Sequence, residues 1–261
     1  MFTEPDILTS VCISLPIITI SYIIAFHKYT LFIQKFVDYL ILHNYIDLSK
    51  NPILKKNNKE IVNRLTSSTH AIFVSVLSLI FWKDNDIIVY SLTNDEIDIV
   101  VYICIDVMIA YLLYDTITDT IWKIIDSTGI QMLIHHSLGL YSLTIIRYYN
   151  TVPAMYYLMM VFLAEISTPF LHASWIMYQL NLTKSIVYKI IGWSLFTTFF
   201  IFRIALPPFI IVKLWQEKYI WVDKVHGTFS ILFTITLLFT ILNYIWFNRL
   251  VKMVLNHYKK D

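Results

Sequence analysis

Apolar residues along this chain gather in long blocks separated by short polar stretches. Seven blocks approach the roughly 20 residues that an α-helix needs to cross a bilayer. They fall at about 9–27, 66–82, 97–115, 130–148, 153–176, 188–212 and 225–248. The third and fourth are the most interrupted, because Asp106, Asp115 and Asp119 lie in or beside them, so six spans is the nearest competing count. In hydrocarbon every backbone N–H and C=O must be satisfied within the protein, which leaves blocks of this length one regular solution, the helix. The pattern predicts an all-α membrane protein of about seven transmembrane helices.

Composition agrees. Of the 261 residues, 57% are hydrophobic and 15% charged, against about 45–50% and about 25% in soluble domains. Mean hydropathy is +0.64. Four glycines and seven prolines leave little material for flexible linkers, and no internal repeat or second compact domain is evident. A net charge of +2 is too small to suggest a nucleic-acid partner. Cys12 and Cys104 both lie in apolar runs and offer neither a disulfide framework nor metal-ligand spacing.

Charge sets an expected orientation. The N-terminus carries Glu4 and Asp6 without Lys or Arg, so the first span reads as an uncleaved anchor rather than a signal peptide. Residues 28–64 hold seven basic side chains (Lys28, Lys35, Lys50, Lys55, Lys56, Lys59 and Arg64), whereas "KDNDIIVYSLTNDEID" has one Lys and five acids. The positive-inside rule then places the first loop in the cytosol and the N-terminus outside or in a lumen. Seven spans carry the basic tail "NRLVKMVLNHYKKD" to the cytosol, and the sequon Asn181-Leu182-Thr183 with it. Trp82, Trp122, Trp175, Trp215 and Trp221 lie near expected span ends, as in an interfacial belt.

Ionisable groups at bilayer depth cost roughly 2.5–3.5 kcal/mol each on insertion scales, so they pair, face a cavity or serve a site. Here they are His70, Asp106, Asp115, His135, His136, Glu165, His172 and Arg203. Adjacent rings on a helix point about 100° apart. One of His135 and His136 can therefore face a cavity while the other meets a neighbouring helix. An imidazole serves as acid, base or nucleophile; the other reading is that both are interfacial or bonded to backbone carbonyls. Glu165, Thr168 and His172 share a helical face, with Pro169 bending the same helix. Arg203 reads as the one intramembrane residue with an unconditional positive charge and as a partner for Glu165, and "ALPPF" after it marks a break in the sixth span. Asp115 and Asp119 lie one turn apart near a boundary, either as a solvated helix end or facing the histidines' cavity. Di-iron histidine boxes, HExxH, a P-loop and GxSxG are all absent, so no metal site is expected.

In order, "NRLTSSTHAIFVSVLSL", "AYLLYD", "HHSLGLYSL", "LAEISTPFLHASW", "FFIFRIALPP" and "NYIWF" resemble the TLC domain. Translocating-chain-associating membrane proteins, ceramide synthases and a ceroid-lipofuscinosis membrane protein share that domain. The resemblance covers residues 60–250, preceded by an N-terminal helix and basic loop (1–59) and followed by a basic tail (251–261). It implies six helices in a TLC-type bundle around a lipid-accessible cavity, plus one N-terminal helix, in the endoplasmic reticulum. It carries over Arg64, His70, Asp115, His135, His136, Glu165, Arg203 and Asn243 as polar lining. In ceramide synthases the double His works with a downstream "HDxSD"; here the matching stretch is "AEISTP", with Glu165 the lone acid. Two functions follow. The first is a protein that binds a fatty-acyl or related lipid and takes part in lipid homeostasis or trafficking, with no cofactor. The alternative is an N-acyltransferase using acyl-CoA as co-substrate, with His135, His136 and Glu165 as catalytic candidates.

Overall fold

A computed structural model describes residues 4–43, 59–84, 99–118, 127–149, 152–218 and 227–258, and of residues 4–15, 83–84, 127–128, 149, 152–153, 228 and 256–258 the backbone alone. The described residues form seven helical rods and no strand. They are α1 (Glu4–Leu42), α2 (Lys59–Asp84), α3 (Ile99–Thr118) and α4 (Ser127–Tyr149). A fifth rod joins α5 (Val152–Phe162), a 3₁₀ turn (Leu163–Ser167) and α6 (Thr168–Gln179). The sixth joins α7 (Ile186–Phe199), a π turn (Phe200–Ala205) and α8 (Leu206–Gln216), and α9 (Thr228–Tyr258) is the last.

Six rods contain a stretch long and apolar enough to cross a membrane: Pro16–Leu42, Lys59–Trp82, Ile99–Thr118, Ala154–Gln179, Ile186–Gln216 and Phe229–Leu255. The chain is an integral multi-pass membrane protein. The remaining rod, α4, has 23 residues, roughly 34 Å at 1.5 Å per residue. It is long enough to cross but carries Gln131, His135, His136 and several hydroxyls.

Two expectations change. The helix that contains the first span does not stop near residue 27 but runs on past Lys28 and Lys35. Helix α1 has 39 residues, roughly 58 Å, about twice the hydrocarbon thickness. Lys28 and Lys35 lie seven residues apart on one helical face, where long basic side chains keep their heads in water without ending the helix. Nor does "ALPPF" break the sixth rod. Pro207 and Pro208 lack the N–H groups that would bond four residues back, and the helix answers by widening: Leu206 N–H bonds to Ile201 O, five residues back. The expected tail is also helical as far as Tyr258.

Six rods close a ring. Around it, α2 meets α3, α3 meets α4, α4 meets α9, α9 meets α8 and the π turn, α7 meets α6, and α6 returns to α2. Neighbours run antiparallel: Thr116 faces His136 while Asp106 faces Arg147. Close approach of α3 and α4 depends on Gly139, where a Cβ would lie 2.9 Å from Leu112 Cδ1. Helix α1 sits outside the ring against α2 and α3, with Phe26 edge-on to Tyr111 and Tyr29 hydroxyl 2.8 Å from Thr69.

The fifth rod changes layer along its length. Its first part, "VPAMYYLMMVF", is apolar on all sides, as a fully surrounded helix must be. Ala154 through Met160 are all buried, and α5 touches α2, α3, α4, α8 and α9. It plugs one end of the ring. Beyond the 3₁₀ turn the rod becomes wall, as α6 packs between α2 and α7.

Candidate functional site

The plug stops partway, so the rest of the ring encloses a cavity of about 460 Å³, within the range of roughly 300–1,000 Å³ typical of small-molecule sites. Its lining on α9 runs from Leu232 to Met253, roughly 31 Å of helix. The inner end, against α5, is apolar: Met108, Leu112, Leu143, Leu158, Ile210 and Leu232. Ser142 and Thr236 also face it, but each hydroxyl donates to a carbonyl of its own helix (Gly139 and Leu232). The other end is bordered by Leu171, Trp246, Arg249 and Met253, of which Leu171, Arg249 and Met253 are exposed. Lys59, Lys189 and Lys252 near helix ends, and Lys184 in the connection between α6 and α7, belong to that side.

Between these ends lies a polar belt, built by two helix irregularities. Pro169 lacks an N–H, and the rod tightens before it: Thr168 N–H bonds to Glu165 O rather than continuing the α pattern to Ala164 O. The carbonyl of Ala164 is thereby released toward the sixth rod. Arg203, in the π turn, reaches it. Arg203 Nε donates to Ala164 O (3.0 Å) and Ser167 Oγ (2.8 Å), and Nη2 donates to Thr168 Oγ1 (2.9 Å) and Glu165 Oε1 (3.3 Å). Thr168 Oγ1 in turn donates to Glu165 Oε2 at 2.7 Å. The guanidinium lies 5.5 Å from the Phe199 ring. The expected Glu165–Arg203 pair is present, and the two irregular turns that flank the prolines hold it.

The adjacent histidines diverge as their 100° separation requires. His136 is buried against α3, with Nδ1 3.0 Å from Thr116 Oγ1 and Nε2 3.7 Å from Asp115 Oδ2. His135 turns toward α9, its ring 5.0 Å from Phe239 and 5.4 Å from Trp246, and its buried Nδ1 has no hydrogen-bond partner among the described residues. His70 stacks on Tyr111 at 3.8 Å, and neither of its buried nitrogens has such a partner. The Tyr111 hydroxyl donates to Ser67 Oγ at 2.7 Å.

His70, His135, His136, Glu165, Thr168, His172, Arg203 and Asn243 all border the cavity. Arg64 and Asp115 do not; they stand one layer behind. Arg64 bonds Glu60 at 2.9 Å and lies 4.0 Å over the Trp175 ring, while its carbonyl takes the Nδ1 hydrogen of His172 (2.9 Å). Asp119, Trp122 and Trp221 lie outside the described residues.

Asp106 lies outside the cavity with a partner that the sequence reading overlooked. Arg147 Nε donates to Asp106 Oδ1 at 3.0 Å and its guanidinium sits 4.5 Å from the Tyr102 ring, so Arg203 is not the only cation paired with an acid inside the bundle. Ser67, Trp246 and Arg249 were also missed as lining residues; Trp246 Nε1 donates to Gln131 Oε1 at 3.0 Å and ties α9 to α4.

A ring of six helices, a double histidine and an Arg–Glu belt meet a direct comparison. Residues 60–252 match the TLC domain. The chain belongs to the TLC-domain family. It is also 32% identical over 130 residues to TLC domain-containing protein 4 A of Dictyostelium discoideum, a match covering 48% of each chain. The ordered motifs are similar to that branch as well, also called transmembrane protein 56. The matched region spans about half of the curated relative, so that likeness and the family match establish the TLC class and its membrane setting.

Proposed function

We propose that this TLC-domain protein holds a lipid by an apolar chain inside its ring and takes part in membrane lipid homeostasis or trafficking. The observation that supports this best is the cavity itself: apolar beyond the belt, plugged by α5, and bordered by exposed residues at its opposite end. A chain entering it leaves one apolar solvent for another, so affinity must come from close packing and from the belt. Formal charge in the belt is balanced, because Glu165 faces Arg203. Residence in the endoplasmic reticulum is what the family resemblance implies, and the charge asymmetry of the loops supports a lumenal N-terminus and a cytosolic basic end of the ring.

One observation favours the acyltransferase reading. Thr116 and Asp115 flank His136 and fix its ring, as an orienting group fixes a general base. Both of its nitrogens are thereby engaged or faced, whereas His135, which also borders the cavity, has an Nδ1 with no partner among the described residues. Mass spectrometry of the purified protein and of the His135→Ala, His136→Ala double variant separates the readings. A lipid bound non-covalently in both is the expected result. A covalent acyl adduct that vanishes in the variant establishes the enzyme instead, and no enriched lipid in either defeats both.

A further inference from the structure

The belt holds more hydrogen-bonding capacity than it uses. His70 and His135 both border the cavity, one on α2 and one on α4, and three of their buried ring nitrogens lack a partner among the described residues. Each of these rings is held by aromatic contacts instead: His70 by Tyr111 and Phe26, His135 by Phe239 and Trp246. Such contacts fix the plane of a ring and leave these edge nitrogens without a described protein partner beside the cavity, where the head group of a guest would supply one. Buried polar atoms in native proteins are rarely left alone, because an unmade bond costs more than a made one gains.

The chemistry of that group follows from the rest of the belt. An uncharged imidazole offers one donor and one acceptor. Glu165 and Arg203 neutralise each other, and Arg203 already spends its Nε and Nη2 on four oxygens. A guest with a charged head brings a charge to bilayer depth with no counter-ion to meet it, a penalty of roughly a hundredfold in affinity. Position follows too. Along α9 the belt residue Asn243 lies eleven residues from the innermost lining residue, Leu232, roughly 16 Å of apolar slot. That slot suits a chain, and the belt then meets whatever the chain carries at its head.

We propose that the guest is an amphiphile with one apolar chain seated against α5 and a small uncharged head, a hydroxyl, amide or ester, that hydrogen-bonds to His70 and His135 at the belt. This rests on the lipid-holding reading above and adds the class of head group to it. The head sits inside the ring, not at the exposed end where Arg249 stands.

Three probes with the same chain test this on the full-length protein in detergent: 1-dodecanol, dodecanoate at pH 8 and dodecyltrimethylammonium, compared by thermal-shift titration. His70→Phe and His135→Phe keep an aromatic ring and remove the nitrogens. The expected order has the alcohol tightest, with each substitution weakening it roughly fivefold and leaving the two charged probes unchanged. Dodecanoate or the ammonium binding as tightly as the alcohol overturns the uncharged head, as does alcohol affinity that neither substitution alters; chain binding then survives. Failure of all three probes to bind removes the lipid-holding reading together with this one.

Discussion

Two acid–arginine pairs lie within the bundle, and their surroundings differ. Asp106 and Arg147 join α3 to α4 at 3.0 Å, backed by Tyr102, away from the cavity. Glu165 and Arg203 join the fifth rod to the sixth at 3.3 Å and border the cavity. The first pair is one acid, one base and an aromatic face. The second recruits a released carbonyl and two hydroxyls through two distorted helical turns. A pair that only ties helices together needs no such distortion. The cost of a 3₁₀ turn and a π turn side by side is understandable where the pair also shapes a chamber.

The sharpest way to break the comparison is to remove one charge. Arg203→Met leaves the part-buried Glu165 without its cation and takes one donor from each of Ala164 O, Ser167 Oγ and Thr168 Oγ1. The expected loss is about 3–5 kcal/mol, read as a collapse of thermal stability in detergent. Replacing both members of each pair separates tie from site. Asp106→Leu with Arg147→Met is expected to be within about 1 kcal/mol of wild type or slightly stabilising, with bound lipid retained. Glu165→Leu with Arg203→Met is expected to lose bound lipid even where the fold survives. Equal lipid retention in both double variants, measured by mass spectrometry, contradicts the distinction. Gly139→Ala sharpens it further: the new Cβ presses on the flexible tip of Leu112, for an expected loss of about 1 kcal/mol and weaker chain binding. The most local effect belongs to Ser185, whose hydroxyl accepts from Tyr188 N–H at the start of α7. Ser185→Ala is expected to cost about 1 kcal/mol in thermal stability with no change in bound lipid.

The rods were legible because a bilayer permits little else over such apolar lengths. Glu165, Thr168 and Arg203 were legible because charge at depth demands company, and i, i+3 spacing puts Thr168 beside Glu165. Arg147 was missed because a residue at the end of a span reads as solvated, and the helix–helix register that gives it Asp106 is not written locally. The same limit hid Thr116 beside His136 and Arg64 O beside His172, since ring order is a property of tertiary packing. The length of α1 was not legible because Lys28 and Lys35 mark a polar stretch without ending a helix. The plug was not legible, because "VPAMYYLMMVF" has no polar face and in a bilayer such a helix suits a lipid-facing position as well as a surrounded one.

The most direct test is the stoichiometry of co-purifying lipid in native mass spectra of the wild type and of Ile235→Trp, which fills the inner end of the cavity. One lipid per wild-type chain, absent or much reduced in a still-folded Ile235→Trp, is the predicted result. The same lipid at the same occupancy in both proteins places it outside the ring and contradicts the account.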